Sequence, residues 1–122
     1  MQLTIGKWLR KYLDGTLTKE ETTTMSYPPP IAKTIGFELV DLGQASATLT
    51  MRTDPAIHGN PMGTVHGGVL CDIADAAIGT AHATTLGRMS PSPALTSVSI
   101  SFVRSGKMRS GQRRKRFNWA KP

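Results

Sequence analysis

Between Asn60 and Ala81 the chain reads NPMGTVHGGVLCDIADAAIGTA, setting an amide, an imidazole followed by paired glycines and a carboxylate around the start of a helix. Pro61, Gly63, Gly67 and Gly68 break regular structure, after which Leu70, Ile73, Ala74, Ala77, Ile78 and Ala81 recur at the helical period. A helix is therefore expected from Gly67 or Gly68 onward. Its first-turn N–H groups have no internal partner and carry the positive end of the helix dipole, so they can hold the charge that develops on a carbonyl oxygen under attack. Glycine there lets a substrate carbonyl come close. Asp75 falls about two turns along, off the main apolar stripe, where a carboxylate can activate a water or attack a carbonyl carbon. Transfer of an acyl group to water is the chemistry this combination fits.

Each residue also has a plainer explanation. His-Gly-Gly alone can be any strand-to-helix turn, and an Asp on a helix is usually solvated. Asp72, near the first helical turn, reads as a surface group that complements the dipole. The single cysteine, Cys71, lies beside the apolar stripe, where a small buried residue is the default, and it excludes an internal disulfide framework. His58 and His82 fall outside the pattern, and no set of His, Cys or acidic residues has metal-ligand spacing, so no metal is expected.

Taken together, Asn60, His66-Gly67-Gly68 and Asp75 at this spacing resemble the hotdog-fold acyl-coenzyme A thioesterases of the phenylacetate-degradation type. The likeness runs from about Pro29 to Val103, through PPPIAKTIGFELVDLGQASATLTM and the later ALTSVSISFVR. It implies that Asn60 orients substrate or water, that His66 and the Gly67 N–H sit at the thioester carbonyl, with Gly68 beside them, and that Asp75 is base or nucleophile. It also implies a polar residue on the following strand assisting the water, Thr96 or Ser97. Arg104 stands where a cation would meet coenzyme A phosphates, although a solvated strand end explains it equally. In that family the groups meet across a dimer interface, so a homodimer or dimer of dimers is implied. No cofactor is required, coenzyme A being part of the substrate.

The elements that must position these groups are legible nearby. Ile5, Trp8, Leu9, Tyr12 and Leu13 mark one face of an N-terminal helix, and Thr16 to Pro30 reads as a Thr- and Pro-rich linker, so residues 1–30 are expected to precede the folded domain. Gly36–Leu42 and Ala45–Met51 flank a turn at Gly43-Gln44 and read as an antiparallel hairpin; Thr96–Val103 alternates Val98, Ile100 and Phe102 with serines, a third strand. The expected fold is α+β, a hotdog domain over residues 31–103 in which an antiparallel sheet wraps a central helix, lacking its last strands.

At 122 residues the chain suits a single domain, and no apolar run approaches membrane-spanning length. One cysteine and no signal-peptide pattern lead to a cytoplasmic expectation. The net charge of +7 is uneven: residues 1–103 hold seven basic and eight acidic groups, whereas residues 104–122 hold eight basic groups and no acid. This tail is expected to be disordered or out of frame. Back-translated with permitted codons and read from the third base, Gly111–Pro122 gives AEAKTFQLGKT, which resembles the next strand of those thioesterases. Nucleic-acid binding through RRKR, Phe117 and Trp119 is the competing explanation of the tail, and a non-catalytic acyl-thioester-binding module is the competing explanation of the domain.

Overall fold

The computed structural model describes residues 1–86, 97–104 and 116–119. Its elements run α1 (Ile5–Asp14), α2 (Pro30–Ile35), β1 (Phe37–Gly43), β2 (Ser46–Thr53), α3 (Pro55–His58), α4 (Gly67–Ala83), β3 (Ser97–Arg104) and β4 (Arg116–Trp119). The strands form one sheet in the order β1-β2-β3-β4, with α4 packed on β2 and β3 and with α1 and α2 against β1. The class is mixed α+β.

The hairpin is set by alternation. Phe37 and Leu39 on β1 face Met51 and Leu49 on β2, and these four side chains, with Ala47, are buried beneath α4. The ladder shifts between Leu39 and Asp41, an extra residue that turns Val40 and Asp41 to the outside. At the hairpin tip Ala45 takes a positive φ of 50° and is nonetheless buried. Its N–H donates to Thr84 Oγ1 at 2.8 Å, and Thr84 Oγ1 donates to Ala81 O, so the tip is tied to the end of α4. Gly6 of α1 closes on the same place: a Cβ there would lie 3.3 Å from Thr84 Cα, which is why this helix has glycine inside.

The sheet corrects the expectation of a wholly antiparallel arrangement. β1 and β2 are antiparallel, and so are β3 and β4, but β2 and β3 run parallel, with Ser46 beside Ser97 and Thr53 beside Arg104. The reason is the length of α4. Seventeen residues carry the chain about 25 Å back along the sheet, so the next strand starts beside the beginning of β2, not its end. A four-residue strand, β4, also lies in the basic segment where no regular structure was expected.

Residues 1–30 are part of the domain instead of a helix on a loose linker. Leu9 is fully buried in the core, with Ile5, Trp8 and Leu13 packed around it. The segment after α1 folds back along it. Gln2 pairs with Thr22, Leu3 N–H donates to Thr22 O at 2.7 Å, and Trp8 Nε1 donates to Glu21 O at 3.2 Å. Glu21 receives the Lys11 ammonium and the Thr18 N–H, which together hold its carboxyl below the ordinary carboxylate range.

This clamp is acid-labile by its sign. A carboxyl with a lowered folded pKa stabilises the arm above its ordinary value of 4.5 and loses that contribution as pH falls through the lowered value. Amide exchange at Leu3 and Thr22 is expected to quicken below about pH 4 before the core amides respond. At neutral pH, Lys11→Met is expected to accelerate the same amides. Uniform quickening of arm and core would rule the clamp out.

Candidate functional site

The approach to α4 is built by its own side chains. Asp54 caps the single-turn α3, its carboxylate accepting from Ala56 N–H at 2.9 Å, with Pro55 at the first helical position. His58 closes that turn and is buried. Asp54 N–H donates to His58 Nδ1 at 3.0 Å, which leaves the ring proton on Nε2, and Nε2–H donates to Ile35 O at 2.6 Å. One imidazole therefore ties the end of α2 to the loop after β2. Its backbone continues the chain of contacts, His58 O accepting from His66 N–H at 2.7 Å. The sequence placed His58 outside the motif; the run Asp-Pro-Ala-Ile-His-Gly, a cap, a helix-starting proline and a terminal glycine, was the signal for it.

Asn60 organises the next five residues. Its Oδ1 accepts from Met62 N–H at 2.9 Å and Thr64 N–H at 3.1 Å, while Nδ2 donates to Thr64 Oγ1 at 2.7 Å. An Asn side chain standing in for backbone in this way fixes a tight loop. Gly63, at φ 76°, supplies the left-handed residue that the loop needs. The Asn60 side chain is thus occupied in shaping the turn.

His66 is the N-cap of α4, its Nδ1 accepting from Gly68 N–H at 3.0 Å. A Cβ at 68 would meet that nitrogen at 3.2 Å, so Gly68 lets the ring fold back. The two glycines consequently differ. Gly68 N–H is used within the turn, whereas Gly67 N–H has no partner among the described residues. A Cβ at 67 would meet nothing within 4 Å, so the chain's own packing does not require glycine there. With Nδ1 an acceptor, the neutral His66 ring carries its proton on Nε2.

Along α4 the buried side is Ile73, Ala77 and Ala81, with Val69, Ala74 and Ala76 half-buried. Leu70 and Ile78, expected on the apolar stripe, are 42% and 52% exposed. Ile78 turns about 100° away from Ala77 onto the outward side, while Leu70 shares the direction of Ala77 and Ala81 but stands near the helix start, ahead of the first buried residue, Ile73. Cys71, expected to be buried, is exposed as well. Advancing 100° per residue, Gly67, Cys71, Asp75, Ile78 and His82 fall on one outward stripe within about 80° of arc. Asp72 lies beyond the first turn and is exposed.

The parallel register separates the strand residues. Ser97 pairs with Ser46, at the end of the sheet where α4 finishes, and Arg104 pairs with Thr53, at the end where α4 begins. Arg104 therefore shares an end with Gly67, and Ser97 does not. Thr96, residues 87–93 and Arg113–Lys115 lie outside the described residues. Neither cleft among the described residues includes Gly67 or Asp75.

The family described as "Domain of unknown function (DUF4442)" matches residues 21–110. The chain belongs to this family. The match takes in α2, the hairpin, the Asn60–Gly68 turn, α4 and β3, and the DUF4442 domains are hotdog-like. No curated protein and no solved structure matches the chain. Among the described residues of this DUF4442 domain, no helix is long and apolar enough to cross a membrane.

Proposed function

We propose that this DUF4442 domain is an acyl-coenzyme A thioesterase of the phenylacetate-degradation hotdog type, acting as a homo-oligomer. The observation that carries the reading is the unpartnered Gly67 N–H. Every neighbouring donor is engaged, His66 N–H by His58 O, Gly68 N–H by His66 Nδ1 and Val69 N–H by His66 O, while Gly67 N–H has no partner among the described residues and stands at the positive end of a 17-residue helix. A thioester oxygen seated there accepts from Gly67 N–H and from the neighbouring His66 Nε2–H.

Asp75 supplies the other half of the reaction, as nucleophile at the thioester carbon or as base for a water. Either route ends in a carboxylic acid and free coenzyme A thiol, with no cofactor. Asp75 stands eight residues from Gly67, about 12 Å along the axis of one helix, whereas both groups must come within about 3 Å of the same reacting centre. One copy of α4 cannot supply both. Two α4 helices side by side and antiparallel can, the Gly67 of one meeting the Asp75 of the other, which makes the second copy part of the site. The outward stripe holding Gly67, Cys71, Asp75 and the exposed Ile78 is the surface available for that pairing. The test is release of free thiol from a panel of aryl- and fatty-acyl-coenzyme A substrates by the full chain, followed against oligomeric state. Turnover confined to the dimeric fraction is expected; a folded dimer inert toward the whole panel would refute the proposal.

A further inference from the structure

Two clefts adjoin on the side of the sheet end from which α4 departs. The first, about 270 Å³, is lined by Lys33, Ile35, Arg52, Asp54, Ile57 and His58; the second, about 380 Å³, by Tyr12, Tyr27, Pro28, Phe37 and Glu38. Lys33 and Gly36 line both, so the clefts share a wall, and this two-part groove is open to a single extended ligand. Its ends differ in chemistry. Lys33 and Arg52 are exposed, and neither lies within ion-pair distance of a carboxylate among the described residues. The acid of that end, Asp54, is turned back to cap α3. The other end is aromatic, with Tyr12 and Tyr27 edge to face at 5.5 Å, and its one acid, the exposed Glu38, excludes a phosphate and can accept from an amino group. Burial, then the neighbouring Tyr12, pushes the Tyr27 hydroxyl up to about 12, so this wall stays neutral.

We propose that this groove binds the nucleotide end of the thioester carrier, the adenine against Tyr12 and Tyr27 and the phosphates on Lys33 and Arg52. A planar base needs an apolar platform and a phosphate needs unpaired cations, and the groove supplies them in that order. The inference rests on the thioesterase reading for the identity of the carrier, but the site itself does not. His58 connects the two regions through the chain: it lines the cationic cleft, and its carbonyl accepts from His66 N–H, the residue that caps α4. Arg104, paired with Thr53 next to Arg52, ends its strand at the same place. The pantetheine arm then runs from the cations toward Gly67.

Calorimetric titration of the full chain with coenzyme A, adenosine 3′,5′-bisphosphate and ADP tests the site without turnover, and steady-state kinetics test its use. Coenzyme A and the bisphosphate are expected to bind the native chain. Affinity is expected to fall at least tenfold in Lys33→Ala/Arg52→Ala and in the milder Lys33→Gln/Arg52→Gln, and to remain unchanged in Lys19→Ala, an exposed position outside the groove. KM for an acyl-coenzyme A is expected to rise at least tenfold in both double variants with kcat within twofold, while KM for the matching acyl-pantetheine, which lacks the nucleotide, stays put. Native coenzyme A affinity in both folded double variants would overturn the proposal even if the chain is an active thioesterase. Coenzyme A and bisphosphate binding that requires Lys33 and Arg52 in a chain without turnover would support the site and remove the thioesterase reading. ADP binding as tight as coenzyme A would assign the groove to free nucleotides and overturn the carrier.

Discussion

Replacing Asp75 with Ala is expected to lower thioester turnover by about 10³-fold or more while leaving the melting temperature within a degree or two. General-base and nucleophilic steps each contribute on the order of 10²–10⁴ in rate, and a carboxylate that performs one of them has no substitute in water. The fold has little to lose, because Asp75 is exposed and takes part in no ion pair or hydrogen bond among the described residues. Asp75→Asn keeps the shape and removes the charge, so it should fall with Ala. Gly67→Ala is the companion: nothing in the chain lies within 4 Å of the new methyl, so stability should hold or rise slightly, yet the methyl intrudes where a carbonyl must approach. Mixing Asp75→Ala with Gly67→Ala subunits should recover part of the activity, since each mixed dimer keeps one intact Gly67–Asp75 pair. Recovery is the outcome a single-copy site forbids, and free-thiol release from the mixture against either parent decides the matter.

The largest structural effect is expected from Gly59→Ala. A Cβ at 59 would lie 2.2 Å from Pro55 O, a backbone atom that cannot swing aside as a side chain does. Relief requires opening α3, and α3 is held by the Asp54 cap, by the two hydrogen bonds of the His58 ring and by the Gly59 and Val65 pairing. Overpacking against fixed backbone costs about 1–3 kcal/mol, and freeing the His58 ring adds about 1 kcal/mol for each hydrogen bond lost. A fall of about 3 kcal/mol, or roughly 10 °C in melting temperature, is expected by thermal unfolding. Since His58 O positions His66 N–H, turnover should fall with it. An unchanged melting temperature would show that the α3 turn is looser than its contacts imply.

Much of the scaffold could be read from residue order. Gly67 as the start of α4, the Gly43-Gln44 turn and the alternation of Ala47, Leu49 and Met51 are local signals, each decided within a few residues. What escaped the sequence was decided at long range. Thr16 to Pro30 has the composition of a linker, yet Trp8 and Lys11 reach across to Glu21 and dock it. Parallel pairing of β2 and β3 depends on how far α4 carries the chain, which no strand encodes. Ile78 fits the helical period, but the period fixes an interval and not the angle at which the helix meets its sheet, and Leu70 has the right angle but stands ahead of the packed stretch. For the site, the residue types and spacing were legible, but their division of labour was not. Only hydrogen-bond geometry separates Gly67 N–H, which is open, from Gly68 N–H, which is spent, and shows Asn60 shaping a loop.

The shift in the β1 ladder between Leu39 and Asp41 has a consequence for solubility. Among the described residues β1 is the margin of the sheet, paired on one side only, and a long even margin is a template on which strands of other molecules can assemble into fibres. Here the run of regular backbone donors and acceptors is interrupted after three residues, and Glu38, Val40 and Asp41 all face outward at the break. A visiting strand would meet a misaligned ladder and two like charges. The irregularity that turns Asp41 out of the domain also keeps one copy from seeding the stacking of the next.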